Sequence, residues 1–182
     1  MSDFYFLESL SIKIQENRKK LEGFDIRLSD INLRLHEIPL HRNTESSFAK
    51  MIGSSYKDKF SELEKAKAEL EEQKQKIENL VDENLESFRS EITSQDFVIP
   101  LDPNPSIIEG KTIYKYRNNE KFENVFVILS EMLGLSTPLV IKDVMLTPTE
   151  IVISEKDEFD AKQKFINIFS EVQNTLLIKK RV

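Results

Sequence analysis

The feature that most constrains this sequence is the regular stepping of apolar residues through its first forty positions. From Leu7 onward these residues recur alternately three and four positions apart. The stepping positions are Leu7, Leu10, Ile14, Asn17, Leu21, Phe24, Leu28, Ile31, Leu35 and Ile38, of which all but Asn17 are apolar. Such heptad spacing keeps one side of an α-helix, here called the seam, against a partner helix. We therefore predict a helix that ends at Pro39, because proline disfavours helical geometry in the residue before it.

A pair of β-strands is the competing interpretation of this stretch. Apolar residues alternate with polar ones at residues 10–14, 24–28 and 31–35, and Ser29-Asp30 resembles a turn. The alternation breaks between Glu16 and Leu21, whereas the heptad accounts for the whole stretch. The helix is therefore the favoured interpretation.

The predicted helix carries apolar residues on a second face as well. Ile12, Ile26 and Leu33 lie together on the side opposite the seam. A helix that is apolar on two faces is normally enclosed in a bundle rather than paired in a simple two-stranded coil. Asn17 is the kind of polar seam residue that fixes the register of a coiled coil.

A second long helix is predicted over residues 47–93, after a polar connector. Its seam comprises Ile52, Tyr56, Phe60 (or Lys59), Leu63, Ala66, Leu70, Gln73, Ile77 and Leu80, and continues as Val81, Leu85, Phe88 and Ile92. The step from Leu80 to the Val81 series shifts the register, which locally unwinds a coiled coil.

The two helices either fold back on each other or pair with other chains, and the sequence leaves both arrangements open. Because the first predicted helix is the shorter, folding back would leave part of the second without a partner, which favours oligomerisation. We expect a homo-oligomer or a hetero-oligomeric coiled coil. The predicted oligomerisation residues are Leu21, Phe24, Leu28, Ile31, Leu35, Leu63, Leu70 and Ile77.

The composition changes at Ser94, and a compact C-terminal domain is predicted beyond a proline-rich link at residues 96–105. The predicted elements are a strand at 112–116, a helix at 119–133 ended by Gly134, a hairpin of 139–146 with 150–154, a helix capped by Ser154 and Asp157, and a closing strand at 175–178. The predicted fold class is mainly α with a C-terminal α+β domain, in which long coiled-coil or bundle helices precede a small antiparallel sheet packed by two helices. The predicted domains are residues 1–44, 45–95 and 96–182.

Composition narrows the possible functions. The chain has no cysteine, which excludes disulfides, thiolate metal sites and a cysteine nucleophile within it. Neither a signal peptide nor a membrane span is readable in the sequence. We expect a cytoplasmic or nuclear protein and take the cytoplasm as its location.

No cofactor, metal or catalytic site is predicted. The segment Glu109-Gly110-Lys111-Thr112 resembles the end of a phosphate-binding P-loop, but position 105, where that loop needs glycine, is Pro105. His36 and His41, the two histidines, flank Pro39 and so do not share one helical face as a metal pair would. We therefore expect a protein that is not an enzyme, with an enzyme of unrecognised site as a further hypothesis.

Two basic clusters give the alternative function. They are Arg18, Lys19 and Lys20 in the first helix, and Lys179, Lys180 and Arg181 at the end of the chain. Either cluster could contact nucleic acid if an oligomer presented several copies. The net charge of -6 favours the interpretation of both as solvated surface.

The order of parts, coiled-coil helices followed by a small α+β domain, is similar to that of coiled-coil subunits of kinetochores. The arrangement of residues 122–172, read as helix, hairpin and helix, is also similar to assembly-platform subunits of pili and secretion systems. Both similarities concern layout and imply an assembly component. We accordingly predict a non-enzymatic oligomerisation or adaptor subunit of a larger assembly, whose C-terminal domain docks a protein partner through Phe and Tyr side chains.

Overall fold

The computed structural model describes residues 4–42, 54–117 and 122–179, and the side chains of residues 4–38, 58–117 and 122–179. Within these residues the helices are α1 (Phe4–Arg42), α2 (Ser54–Ile92), α3 (Glu123–Leu133) and α4 (Glu158–Lys179). The strands are β1 (Ser106–Ile108), β2 (Lys111–Lys115), β3 (Leu139–Ile141), β4 (Val144–Leu146) and β5 (Glu150–Ile153). The predicted fold class is confirmed: the protein is mainly helical, with two long helices followed by a small antiparallel sheet and its helices.

The chain divides into two compact units, with the divisions inside α1 and α2. The sheet unit comprises residues 1–15 and 84–182, and the hairpin unit comprises residues 16–83.

Helix α1 confirms the helical interpretation of the first heptad. Every seam residue from Leu7 to Ile38 is buried or half-buried, and Phe4, one turn before Leu7, is buried as well. The prediction that Pro39 ends the helix was wrong, because α1 continues to Arg42. A proline removes one main-chain hydrogen bond, and that loss falls in the last turn, where few further bonds depend on it.

Helix α2 corrects two further expectations. In the described residues α1 and α2 each have 39 residues, so the unequal lengths that favoured a second chain are not found. The predicted seam was wrong at Gln73 and Leu80, which are exposed, whereas Lys74 is half-buried and Val81 is buried. The register shift therefore follows Leu70 rather than Leu80. Residues 43–53, which include Ile52 and most of the predicted connector, lie outside the described residues.

The five-stranded sheet of the described residues has the order β1-β2-β5-β4-β3, and its four strand pairings are antiparallel. Because side chains alternate between the faces of a strand, one face is buried and the other is largely half-exposed. The buried face carries Thr112, Tyr114, Leu139, Val144, Leu146, Ile151 and Ile153. Helix α4 packs against β4 and β5, and α3 packs against α4.

Several predicted elements of this domain were confirmed and others were wrong. Gly134 ends α3 in the left-handed conformation at φ 73°, as predicted. The predicted strand at 139–146 is divided by a turn at Lys142, where φ is +52° although the residue is not glycine. Strand β1 was not predicted, and residues 118–121 lie outside the described part of the chain.

Helix α4 differs from its prediction at both ends. Asp157 caps its start, because its Oδ1 atom accepts a hydrogen bond from the main-chain N–H of Asp160 at 3.0 Å. Ser154 does not provide the cap. The predicted closing strand at 175–178 is helical, since Ile168, Val172 and Leu176 are buried at four-residue spacing and extend the buried face of α4.

The first turn of α1 belongs to the aromatic core of the sheet unit. The ring centroid of Phe4 lies 3.9 Å from that of Phe122 and 6.1 Å from that of Tyr116. Phe97 and Phe126 lie within 6.4 Å of the same ring. The beginning of the chain is therefore a structural part of the C-terminal fold.

Candidate interaction surfaces

The hairpin unit consists of α1 and α2 folded back on each other within one chain. Asp25 of α1 accepts a hydrogen bond from the Nζ atom of Lys74 at 2.7 Å. Farther along α1, Arg34 and Ile38 share an open depression of about 480 Å³ with Leu63 of α2. Since the residue number falls along α2 as it rises along α1, the two helices are antiparallel. The alternative of folding back, which the sequence left open, is the arrangement found.

The predicted oligomerisation residues lie along this hairpin. Leu21, Phe24, Leu28, Ile31, Leu35, Leu63, Leu70 and Ile77 are all half-buried. Among the apolar side chains that are buried in the described residues, Val81 alone belongs to the hairpin unit. Buried Asn17 accepts a hydrogen bond from Lys20 Nζ at 3.1 Å, which satisfies its side-chain carbonyl. The hairpin unit thus has a seam but almost no fully buried core.

The second apolar face of α1 is open to solvent. The exposed fraction is 72% for Ile26 and 62% for Leu33, both in the hairpin unit, and 38% for Ile12 in the sheet unit. These are the residues whose position opposite the seam indicated a bundle. The described residues of the chain leave Ile26 and Leu33 without a covering helix.

A groove runs along α4 in the sheet unit. One wall is the face of α4 from Glu158 to Ser170, about 18 Å long at about 1.5 Å per residue. The other wall is the extended segment 97–103, and the groove has a volume of about 660 Å³. Its apolar lining comprises Phe97, Ile99, Leu101, Phe165, Ile166 and Phe169.

Stacked aromatic rings form the floor of this groove. The ring centroid of Phe169 lies 5.6 Å from that of Phe97 and 5.8 Å from that of Phe165. Phe97 is buried, while Val98 on the rim is 70% exposed and Ile166 is 46% exposed. The sequence marked Phe165 and Phe169 as apolar positions of the last helix. The other wall was missed because its apolar alternation at residues 97–101 lies among prolines and was taken as a linker.

The two basic clusters belong to different units, the first to the hairpin unit and the second to the sheet unit. Lys19 and Lys20 are exposed and Arg18 is half-buried. The Nζ atom of Lys179 donates a hydrogen bond to the main-chain carbonyl of Met132 at 3.1 Å, near the end of α3. That lysine therefore supports a helix terminus. Lys180 and Arg181 lie outside the described residues.

The segment that resembles a P-loop is a hairpin turn. Glu109 and Gly110, with φ of 49° and 79°, connect β1 to β2. Two positive φ values in a two-residue connection are typical of the tight turns that join antiparallel strands. The hydroxyl of Thr112 is buried and donates a hydrogen bond to the carbonyl of Glu155 at 2.7 Å. This geometry agrees with the interpretation as a turn before a strand.

Titratable groups with shifted pKa values are scattered. Burial raises the pKa of the Tyr116 hydroxyl, and the charge of Glu150 adds to the shift. The hydrogen bond to Asp25 raises the pKa of Lys74. The hydrogen bond from Lys76 lowers the pKa of Glu72. Each shift has a local structural cause. Lys74 and Glu72 belong to α2 in the hairpin unit, and Tyr116 belongs to the sheet unit.

A metal-binding cluster is not formed by the described part of the chain: no three His, Asp or Glu side chains there are placed to hold an ion together. His36 is exposed, and the side chain of His41 lies outside the described ones. Among the helices of the described residues, none combines the length and apolar character that crossing a membrane requires. No protein-family model, curated protein or solved structure matches this chain.

Proposed function

We propose that this protein is a non-enzymatic oligomerisation or adaptor subunit of a larger cytoplasmic assembly. In this proposal the hairpin unit associates with further helices, and the sheet unit docks a protein partner. The observation that carries the proposal is the low burial of the hairpin unit. Among its described apolar side chains Val81 alone is buried, while Ile26 and Leu33 are exposed.

The physical argument concerns how long helices are stabilised. Helical propensity alone stabilises a helix in water only marginally, and most helical stability in proteins comes from packing of an apolar face. In the hairpin unit the predicted oligomerisation residues are half-buried and Ile26 and Leu33 are exposed, so additional helices packed against the hairpin would remove more apolar surface from water. Helices that are apolar on two faces are typical of bundles.

The sheet unit supports the adaptor half of the proposal. Its groove is apolar, has stacked aromatic side chains in its floor and is about 18 Å long along α4. An amphipathic helix of about three turns has this length, and such helices commonly bind by placing their apolar face in a groove. Asp102, Glu158, Arg117 and Lys162 supply charges of both signs around the groove, where a partner would form a polar rim.

The mass of the full chain in solution tests the oligomerisation half. Light scattering at micromolar concentration is expected to give a multiple of the chain mass of 21.3 kDa. A mass of 21.3 kDa over the accessible concentration range would contradict it.

The adaptor half needs a separate test. Ile166→Glu places a charge on the rim of the groove, where the side chain is 46% exposed, and we therefore expect this variant to fold. Leu177→Glu is the matched control, because Leu177 is 44% exposed on the same helix and does not line the groove. Binding of a partner co-purified with the parent protein is expected to be lost with Ile166→Glu and kept with Leu177→Glu. Equal retention by both variants would contradict docking in the groove.

A further inference from the structure

The exposed face of α1 in the hairpin unit has its own heptad pattern. Glu22, Ile26, Ser29, Leu33 and His36 follow one another at steps of four, three, four and three residues, and all five are exposed. These five residues are called the outer face below. Such spacing places them along one side of a helix, as in the seam.

The outer face is self-complementary: its residues match those of a second copy that runs in the opposite direction. Read in one direction it is acid, apolar, hydroxyl, apolar, imidazole, and its centre is Ser29. An antiparallel copy related by a two-fold axis at Ser29 would set Ile26 against Leu33 and Glu22 against His36. A parallel copy would set Glu22 against Glu22, which repels. In a two-fold interface each patch must complement itself, and the antiparallel arrangement meets that condition.

The charges beside the outer face also suit a second copy. Arg27, Asp30, Arg34 and Glu37 alternate in sign along the neighbouring side of the helix. Asp30 is paired with Arg34 at 3.0 Å, so it is already neutralised when two copies approach. A flank of one sign would instead require an oppositely charged partner.

Gly23, beside the outer face, is an independent observation. A Cβ atom on Gly23 would meet no atom within 4 Å, so the packing of the chain does not require glycine there. Glycine is among the least favourable residues in a helix interior. Gly23 lies on the flank of the outer face, in the same row as Arg27 and Asp30, where the absence of a side chain leaves room for a neighbouring helix.

We propose that the outer face binds the outer face of a second copy of this chain, antiparallel and centred on Ser29. The inference rests on the proposed oligomerisation and specifies its interface. The seam is occupied by the chain's own second helix, and the outer face is the surface that a second hairpin covers. Ile26 of each copy contacts Leu33 of the other, and Glu22 of each copy contacts His36 of the other, so that the two-fold axis produces each contact twice.

Cysteine cross-linking in the full chain tests the register, because the sequence has no cysteine of its own. Glu22→Cys and His36→Cys are introduced into separate copies carrying tags of different size, and the copies are mixed and mildly oxidised. The disulfide-linked heterodimer is expected to exceed either homodimer at least about tenfold, because a disulfide needs Cα atoms within about 7 Å. Homodimers in equal or greater yield overturn the antiparallel register.

Two substitutions on the apolar positions test the interface itself. The double variant Ile26→Glu with Leu33→Glu is expected to reduce the mass in solution to 21.3 kDa while helicity is retained. Leu80→Glu is the matched control, since Leu80 is 44% exposed on α2 of the same unit, and it is expected to keep the parent mass. Gly23→Gln, which the single chain has room for, is expected to weaken association as well.

The outcomes separate this inference from the proposed function. A parent protein of 21.3 kDa overturns this inference and the oligomerisation half of the proposed function. A parent oligomer whose mass survives the double variant, or that yields no cross-link between positions 22 and 36, overturns the outer face as the interface and leaves the proposed function standing.

Discussion

Gln173 of α4 donates a hydrogen bond from its Nε2 atom to the main-chain carbonyl of Ile92, the last residue of α2, at 2.8 Å. The same nitrogen lies 3.4 Å from the carbonyl of Ser94. The last carbonyls of a helix have no partner within the helix, so they need one from elsewhere. Inside the sheet unit this side-chain amide therefore links the end of α2 to α4.

We predict that Gln173→Glu lowers the free energy of unfolding by about 2 kcal/mol, because a carboxylate cannot donate this bond and leaves part-buried carbonyls without a partner. Asn174→Asp makes the same chemical change at the neighbouring exposed position and is expected to change stability by less than about 0.5 kcal/mol. Urea unfolding followed by circular dichroism measures both. Equal effects of the two substitutions would show that added charge, and not the lost bond, is responsible.

The beginning of the chain gives a second prediction. Phe4 is 3% exposed within the aromatic core, whereas Phe6 is 46% exposed. Phe4→Ala is expected to cost about 3 to 5 kcal/mol of unfolding free energy, as for other large-to-small changes in a core. Phe6→Ala, with the same loss of atoms, is expected to cost less than about 1 kcal/mol. Similar denaturation midpoints for the two variants would contradict the placement of Phe4 in the core of the sheet unit.

The parts of the fold that were predictable are those in which one periodicity extends over many residues. The heptad from Leu7 to Ile38 predicted both the helix and its buried side, because a long repeat averages out local exceptions. Pro39 was such an exception. The rule that proline ends a helix predicted the wrong end, because α1 continues to Arg42. The end of α3 was predictable because a left-handed residue often ends a helix, and glycine adopts that conformation without the steric cost that a side chain adds.

The parts that were not predictable depend on contacts distant in sequence. Residues 175–178 have the composition of a strand, but Leu176 completes the buried face of α4, which only the packed domain defines. The groove joins residues 97–103 to residues 158–170, and no local pattern connects segments so far apart. The position of Ile26 and Leu33 opposite the seam was predictable from the helical period, and the structure shows that both side chains are exposed.

Replacing either of two tyrosines of the sheet unit with phenylalanine is expected to change the free energy of unfolding, in opposite directions for the two positions. The hydroxyl of Tyr116 is buried and has no hydrogen-bond partner among the described residues, while that of Tyr114 donates to the carbonyl of Glu158 at 3.3 Å. A buried polar group without a partner costs about 1 to 3 kcal/mol. We expect Tyr116→Phe to raise the free energy of unfolding by about 1 kcal/mol and Tyr114→Phe to lower it by about 1 kcal/mol. Thermal denaturation compares them, and destabilisation by Tyr116→Phe would show that its hydroxyl has a partner.

The last prediction concerns acid stability and the carboxylate of Glu155. Its pKa lies below the ordinary value of 4.5, chiefly because the main-chain N–H of Lys156 donates to it at 2.9 Å. The ammonium of Lys164, with its Nζ atom 3.4 Å from Oε2 of Glu155, lowers the pKa further, as does the main-chain N–H of Asp157.

Because the pKa of Glu155 is lower in the folded protein than in the unfolded chain, its contribution to stability is fully present above pH 4.5 and disappears as the pH falls through the lowered folded value. Glu155→Gln removes the ionisation and keeps the shape. The stability difference between parent and Glu155→Gln is therefore expected to favour the parent at neutral pH and to shrink steadily below pH 4.5. Lys164→Gln is expected to reduce this pH dependence without removing it, since the donation from Lys156 remains. Urea titrations at a series of pH values measure the difference, and a gap between parent and Glu155→Gln that is the same in acid as at neutral pH would contradict the assignment.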